Sequence, residues 1–141
     1  AKYSSLTIST PWAYQAYRQA FAATYVDVAT EGPTRREALH SGPMVAAIYH
    51  QDGADIGQHL HNDLEKVVLT QHSQVQALKD AMAAGGGLGT LMSGSGPTVF
   101  TLAATQTEAE TIAAQVRSRL SDPDLELWVA PFVSTSVQFS P

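Results

Sequence analysis

Six of the ten glycines in this chain of 141 residues fall within twelve positions: Gly85, Gly86, Gly87, Gly89, Gly94 and Gly96. Glycine inside a helix costs about 1 kcal/mol relative to alanine, so so dense a cluster excludes a helix interior and requires the chain to turn. Apolar runs at 88–93 and 98–103 flank the later glycines and suit strands. Only Gly94, Ser95, Gly96 and Pro97 separate them. A parallel crossover needs a dozen residues or more, so these strands form an antiparallel hairpin.

Around this hairpin the pattern is mostly helical. Residues 6–10 alternate as a short strand, Thr10 caps a helix, and Pro11 suits its first turn because its missing N–H has no partner there in any case. Trp12, Tyr14, Tyr17 and Phe21 make that helix aromatic on more than one face. Residues 24–41 read as a polar loop, with a helical turn near 35–39. Gly42 and Pro43 restart helix, with apolar Met44, Val45, Ile48 and Tyr49 running to the Asp52-Gly53 turn. Further helices are predicted over about 54–65 and 73–84, the latter with a stripe of Val75, Leu78 and Met82. Residues 106–120 form an amphipathic helix with Ala109, Ile112, Ala113, Val116 and Leu120 inward, and 125–133 and 137–139 supply closing strands. The resulting class is α+β: about four strands in a mostly antiparallel sheet, with helices packed on one face.

Length and charge narrow the function. The chain is sized for one domain, and 44% hydrophobic with 15% charged residues marks a globular protein. Eight Lys and Arg against thirteen Asp and Glu leave no basic stripe for nucleic acid. No apolar run approaches a membrane span, so no membrane partner is expected. Without cysteine there are no disulfides, iron–sulfur clusters or Cys-type zinc sites, which suits a reducing compartment.

Several residue groups bear on chemistry. The glycine-rich turn can converge main-chain N–H groups on an anion, or simply close a hairpin. Gly89 and Gly94 have Walker A spacing, but Ser95 stands where Lys is required. The dinucleotide fingerprint fails too, with Thr90 or Val99 at its third glycine. His59 and His61 are two apart, the wrong spacing for a shared metal on a helix, while His40, His50 and His72 suit helix ends. Asp63 and Glu65 lie on different helix faces, so they make no acid–base pair unless the helix has ended. No Gly-x-Ser-x-Gly elbow surrounds Ser93 or Ser95. Tyr14 is either a core aromatic or a platform for a planar ring.

Read in order, Leu91, Met92, Ser93, Gly94, Ser95, Gly96, Pro97, Thr98, Val99 and Phe100 resemble the third signature motif of the galactokinase, homoserine, mevalonate and phosphomevalonate kinase superfamily. Ile8 to Tyr14 and His61 to Glu65 narrow the resemblance to the C-terminal domain of the 4-diphosphocytidyl-2-C-methyl-D-erythritol kinase family. The resemblance implies a ferredoxin-like domain of an ATP-dependent kinase of non-mevalonate isoprenoid biosynthesis, at work in the bacterial cytosol or the plastid stroma. ATP with Mg²⁺ is the implied co-substrate, with no metal ligand and no catalytic residue in this chain. The implied partners are the cytidine-diphosphate-linked methylerythritol substrate and an N-terminal ATP-binding domain that this chain lacks, so the chain alone is expected to be inactive. Tyr14 would stack on cytosine, with Thr10 and Pro11 lining the same pocket. Ser93, Gly94, Ser95, Gly96, Pro97 and Thr98 would form a loop close to the phosphates, and Asn62 and Asp63 would tie the helices to it. Competing readings are a homoserine- or mevalonate-type kinase of the same superfamily and a ligand-binding module without catalysis.

Overall fold

A computed structural model describes residues 1–24 and 42–133. The expected loop at 25–41, its helical turn, His40 and the strand at 137–139 lie outside the described residues. Strand β1 (Lys2–Tyr3) leads into helix α1 (Thr10–Ala20), and a single 3₁₀ turn follows at Ala22–Thr24. After residue 42 come helices α2 (Pro43–Tyr49), α3 (Gly53–Gln58), α4 (Glu65–Gln71) and α5 (Ser73–Ala83). Strands β2 (Gly89–Met92) and β3 (Val99–Leu102), helix α6 (Gln106–Arg119) and strand β4 (Leu125–Glu126) complete the described order.

The hairpin forms as the glycine spacing predicts, with Gly89 opposite Leu102 and Met92 opposite Val99. Instead of one four-stranded sheet, the described residues carry two antiparallel ladders, β1 with β4 and β2 with β3. The ladders meet at one point. Ala1 N donates to Val99 O at 2.7 Å, and Val99 N donates back to Ala1 O at 2.8 Å.

Other expectations shift by a few residues. The extended run at 6–10 makes no ladder, because pairing with β4 is used up at Lys2 and Tyr3 and the chain then turns through a Leu6 N to Tyr3 O bond of 3.3 Å. Ser9, rather than Thr10, caps α1, its hydroxyl accepting from Trp12 N at 3.4 Å. The strand expected over 125–133 pairs only at Leu125 and Glu126, where the register sets Glu126 against Lys2 and Leu125 against Tyr3. The helix expected over 54–65 is broken: α3 stops at Gln58, and α4 starts at Glu65 after a turn.

One core joins these elements. The stripe of Val75, Leu78 and Met82 is buried as predicted and meets Ala13, Val68, Met92, Val99, Ile112 and Val116. Where α3 crosses the start of β2 the two backbones touch: a Cβ on Gly57 would lie 2.0 Å from Leu88 O. Gly57→Ala should therefore destabilise the fold by about 2–3 kcal/mol through overpacking against a rigid carbonyl. Gly86→Ala, where φ is +84° and the space is open, should cost only about 1 kcal/mol. Urea denaturation of the two variants checks the order, and a Gly57→Ala protein as stable as Gly86→Ala would contradict it.

The β1–β4 ladder has a polar staple. Asp124 accepts Ser5 N on both carboxylate oxygens at 3.0 Å and also takes the Ser5 hydroxyl. These bonds hold the Asp124 carboxyl below its usual range. A depressed carboxylate stabilises the fold above its unfolded pKa of 3.8, and that share is lost as pH falls through the lower folded value. Asp124→Asn should flatten the loss of stability below about pH 4, as read from thermal melts across pH.

Candidate functional site

The closed end of the hairpin is its most buried part. Met92 and Val99 face each other with no exposed surface. Just beyond them Ser93 N donates to Thr98 O at 2.8 Å, which closes the loop before β3 begins at Val99. Inside the loop Gly96 N donates to Ser93 O at 2.9 Å. Gly94 and Gly96 adopt φ of +56° and +78°, the left-handed region in which a side chain is strained. Among the described residues, the N–H groups of Gly94 and Ser95 meet no acceptor.

The glycine cluster therefore divides by role. Gly85, Gly87 and Gly89 lie where a Cβ would strike α6, β3 or α3, so they serve packing, while Gly94 and Gly96 serve the turn. The two unpaired N–H groups at Gly94 and Ser95 lie side by side in the turn, whereas the first stretch is fixed by packing.

Helix α1 meets this loop at its first residue. Because Ser9 does the capping, the Thr10 hydroxyl is available and lies 2.8 Å from the Ser95 hydroxyl. Pro11 and Tyr14 follow at i+1 and i+4 from Thr10, and all three are exposed, Tyr14 by 56%. The other α1 aromatics turn inward: Trp12 and Tyr17 pack against the core, and Trp12 meets the His72 ring at 5.2 Å, edge to face. Tyr14 is therefore not a core aromatic.

The turn between α3 and α4 reaches the loop from the helix layer. Asn62 Nδ2 donates to Met92 O at 2.7 Å and to Gly94 O at 2.8 Å, while its Oδ1 accepts Leu64 N at 3.0 Å. That local bond competes with continued helix and accounts for the break. Glu65 Oε1 accepts Met92 N at 2.7 Å, and its other oxygen takes the Lys79 ammonium. The expected tie to the loop thus runs through Asn62 and Glu65, not Asp63. Asp63 turns outward to Lys66 at 2.6 Å and His61 at 3.1 Å, contacts that lower its carboxyl pKa and raise that of Lys66. No helix carries both Asp63 and Glu65, since Asp63 lies in the turn and Glu65 opens α4, yet the two carboxylates point to different partners and make no acid–base pair.

Sequence reasoning placed Glu65 on the wrong element and so missed its bond to Met92. The local signal was the Asn-Asp pair at 62–63, a frequent helix-breaking turn. His50 and His72 sit at helix ends as expected, whereas His59, expected within a helix together with His61, lies at the end of α3 because that helix stops at Gln58. Among the described residues no group of three His, Cys, Asp or Glu could hold a metal.

Comparison with known proteins bears on the whole chain. Residues 40–122 match the family described as GHMP kinases C terminal, the abbreviation for the galactokinase, homoserine, mevalonate and phosphomevalonate superfamily. A 4-diphosphocytidyl-2-C-methyl-D-erythritol kinase of Gloeothece citriformis is 51% identical over 138 residues, covering 98% of this chain and 44% of the relative. The kinases of the same name from Microcystis aeruginosa and Trichodesmium erythraeum are 50% and 47% identical, covering 98% and 99% of this chain and 44% and 45% of their own lengths. This chain thus spans less than half the length of these curated relatives, and the match is to a C-terminal part.

The two loop glycines should differ in tolerance. A Cβ on Gly96 would lie 2.8 Å from the buried Met92 sulfur and 3.2 Å from Ile8, whereas one on Gly94 would meet nothing within 4 Å. Gly94→Ala should cost about 1 kcal/mol from its φ alone, and Gly96→Ala about 2–4 kcal/mol from strain and overpacking together. Equal urea midpoints for the two variants would contradict this account of the loop.

Proposed function

We infer, since this chain belongs to the GHMP kinase C-terminal family, that it forms the acceptor-side domain of a kinase moving the γ-phosphoryl group of ATP to a hydroxyl of 4-diphosphocytidyl-2-C-methyl-D-erythritol. The observation that carries this reading is the Thr10–Ser95 hydroxyl bond, which joins the exposed start of α1 to the loop with free N–H groups. Tyr14 then supplies the face for the cytosine ring, one turn from Thr10 and Pro11, which line the same acceptor pocket. Gly94 and Ser95 turn their N–H groups toward the phosphates, and Ser93, Gly96, Pro97 and Thr98 hold the loop in shape. Such a division is physically sound, because phosphoryl transfer depends on positioning and charge stabilisation, which two domains can share.

Among the described residues the side chains bonded to the loop are the neutral Thr10 and Asn62. Positive charge for the triphosphate, the ligands for an accompanying Mg²⁺ and the groups acting on the reacting hydroxyl come from the preceding domain in this reading. The reciprocal Ala1–Val99 pair also supports a single ferredoxin-like sheet in the order β4-β1-β3-β2 for the whole protein. No helix among the described residues is long and apolar enough to cross a membrane. The cyanobacterial relatives and the charged, water-soluble substrates favour a cytosolic enzyme.

The test is ATP-dependent phosphorylation of the cytidine substrate by the two-domain protein, with homoserine and mevalonate as competing acceptors. Tyr14→Ala should raise KM for the cytidine substrate about tenfold, from a stacking contribution of ~1–3 kcal/mol, and leave KM for ATP unchanged. Transfer only to another acceptor, no transfer at all, or turnover by residues 1–141 alone would overturn the reading.

A further inference from the structure

In a hairpin, a cross-strand pair that exchanges no hydrogen bonds turns its main-chain groups away from the partner strand. Met92 and Val99 form such a pair, flanked by the Ser93 N to Thr98 O bond. Val99 spends its outward groups on Ala1. Met92 spends both of its own on side chains: its N–H on Glu65 and its carbonyl on Asn62. The two side chains occupy the place of a neighbouring strand at the free edge of β2.

Asn62 also reaches one residue into the loop, and there it sets a direction. Its amide holds Gly94 O at 2.8 Å. The peptide that carries Gly94 O also carries Ser95 N–H, and in a planar trans peptide the two point in opposite directions. Drawing the carbonyl toward Asn62 therefore turns the Ser95 N–H away from the helix layer, while the Ser95 hydroxyl meets Thr10. Both polar atoms of the Asn62 side chain are engaged, and Lys79 holds the second Glu65 oxygen, so the clamp has little freedom to relax.

We propose that Asn62 and Glu65 are positioning residues of the kinase, fixing the strand end at Met92 and aiming the Ser95 N–H at the transferred phosphate. The proposal rests on the kinase reading above. It predicts a kinetic pattern opposite to that of Tyr14: the phosphate side suffers and the cytosine side does not.

The experiment uses the two-domain enzyme with Asn62→Asp, which sets an acceptor oxygen against two carbonyls, and Asn62→Ser as the milder change in case the first fails to fold. Gly57→Ala serves as a control destabilised at the far end of β2. We expect kcat to fall tenfold or more in the Asn62 variants, with KM for the cytidine substrate within twofold of wild type, and kcat near wild type for Gly57→Ala below its melting temperature. Glu65→Gln, which keeps an acceptor for Met92 N, should retain more kcat than Glu65→Leu. A kcat that follows melting temperature alike in the Asn62 variants and Gly57→Ala would overturn the proposal. A wild-type enzyme that transfers no phosphoryl group would overturn the kinase reading instead. In that case the ¹⁵N amide resonances of Gly94 and Ser95 decide the clamp: they should move in Asn62→Ser and stay in Gly57→Ala, and unmoved resonances in Asn62→Ser would overturn it.

Discussion

The burial of Met92 against Val99 is the constraint on which the rest of the site depends. Both residues are closed to solvent at the hairpin's loop end, whereas Gly89 and Leu102 at its open end are only half-buried. A turn at the tip of a solvated hairpin would be free to fray. Here the turn grows directly out of the core. Every main-chain group that Met92 and Val99 turn away from each other has a partner, on Asn62, Glu65 or Ala1.

That anchoring explains how a short loop of small residues can present main-chain donors in a defined direction. Glycine at 94 and 96 supplies the backbone angles, but glycine alone leaves many conformations open. The amide of Asn62 and the hydroxyl of Thr10 select among them, one from the helix layer and one from the start of α1. The site is thus a meeting of three segments widely separated in sequence, around 10–14, 62–65 and 93–98. None of the three carries a cation into the loop.

Much of this was legible in the sequence. The hairpin followed from the loop length and the stripe of α5 from helical spacing, while the spread of aromatics around α1 left open which of Trp12 and Tyr14 packs inward. The site residues near Thr10 and the glycine loop could be named, but not their contact, since two hydroxyls 85 positions apart leave no pattern in a chain. Shifts of one residue mattered: with Ser9 as the cap, Thr10 is free to reach the loop. The break before Glu65 has a local signal in the Asn-Asp pair, but the contacts it makes possible are long-range and left no pattern. Asn62 gives up helix in exchange for carbonyls some thirty residues further on.

By itself, the sequence determined an α+β chain with a glycine-closed antiparallel hairpin, no cysteine chemistry and an acidic charge balance, because composition, periodicity and loop length are local properties. Tertiary structure alone decided which glycines pack and which turn, which of Asp63 and Glu65 faces inward, and where the Ser95 N–H points. Those outcomes depend on which main-chain groups stay unpaired after the hairpin forms, and only the packed helices determine what reaches them.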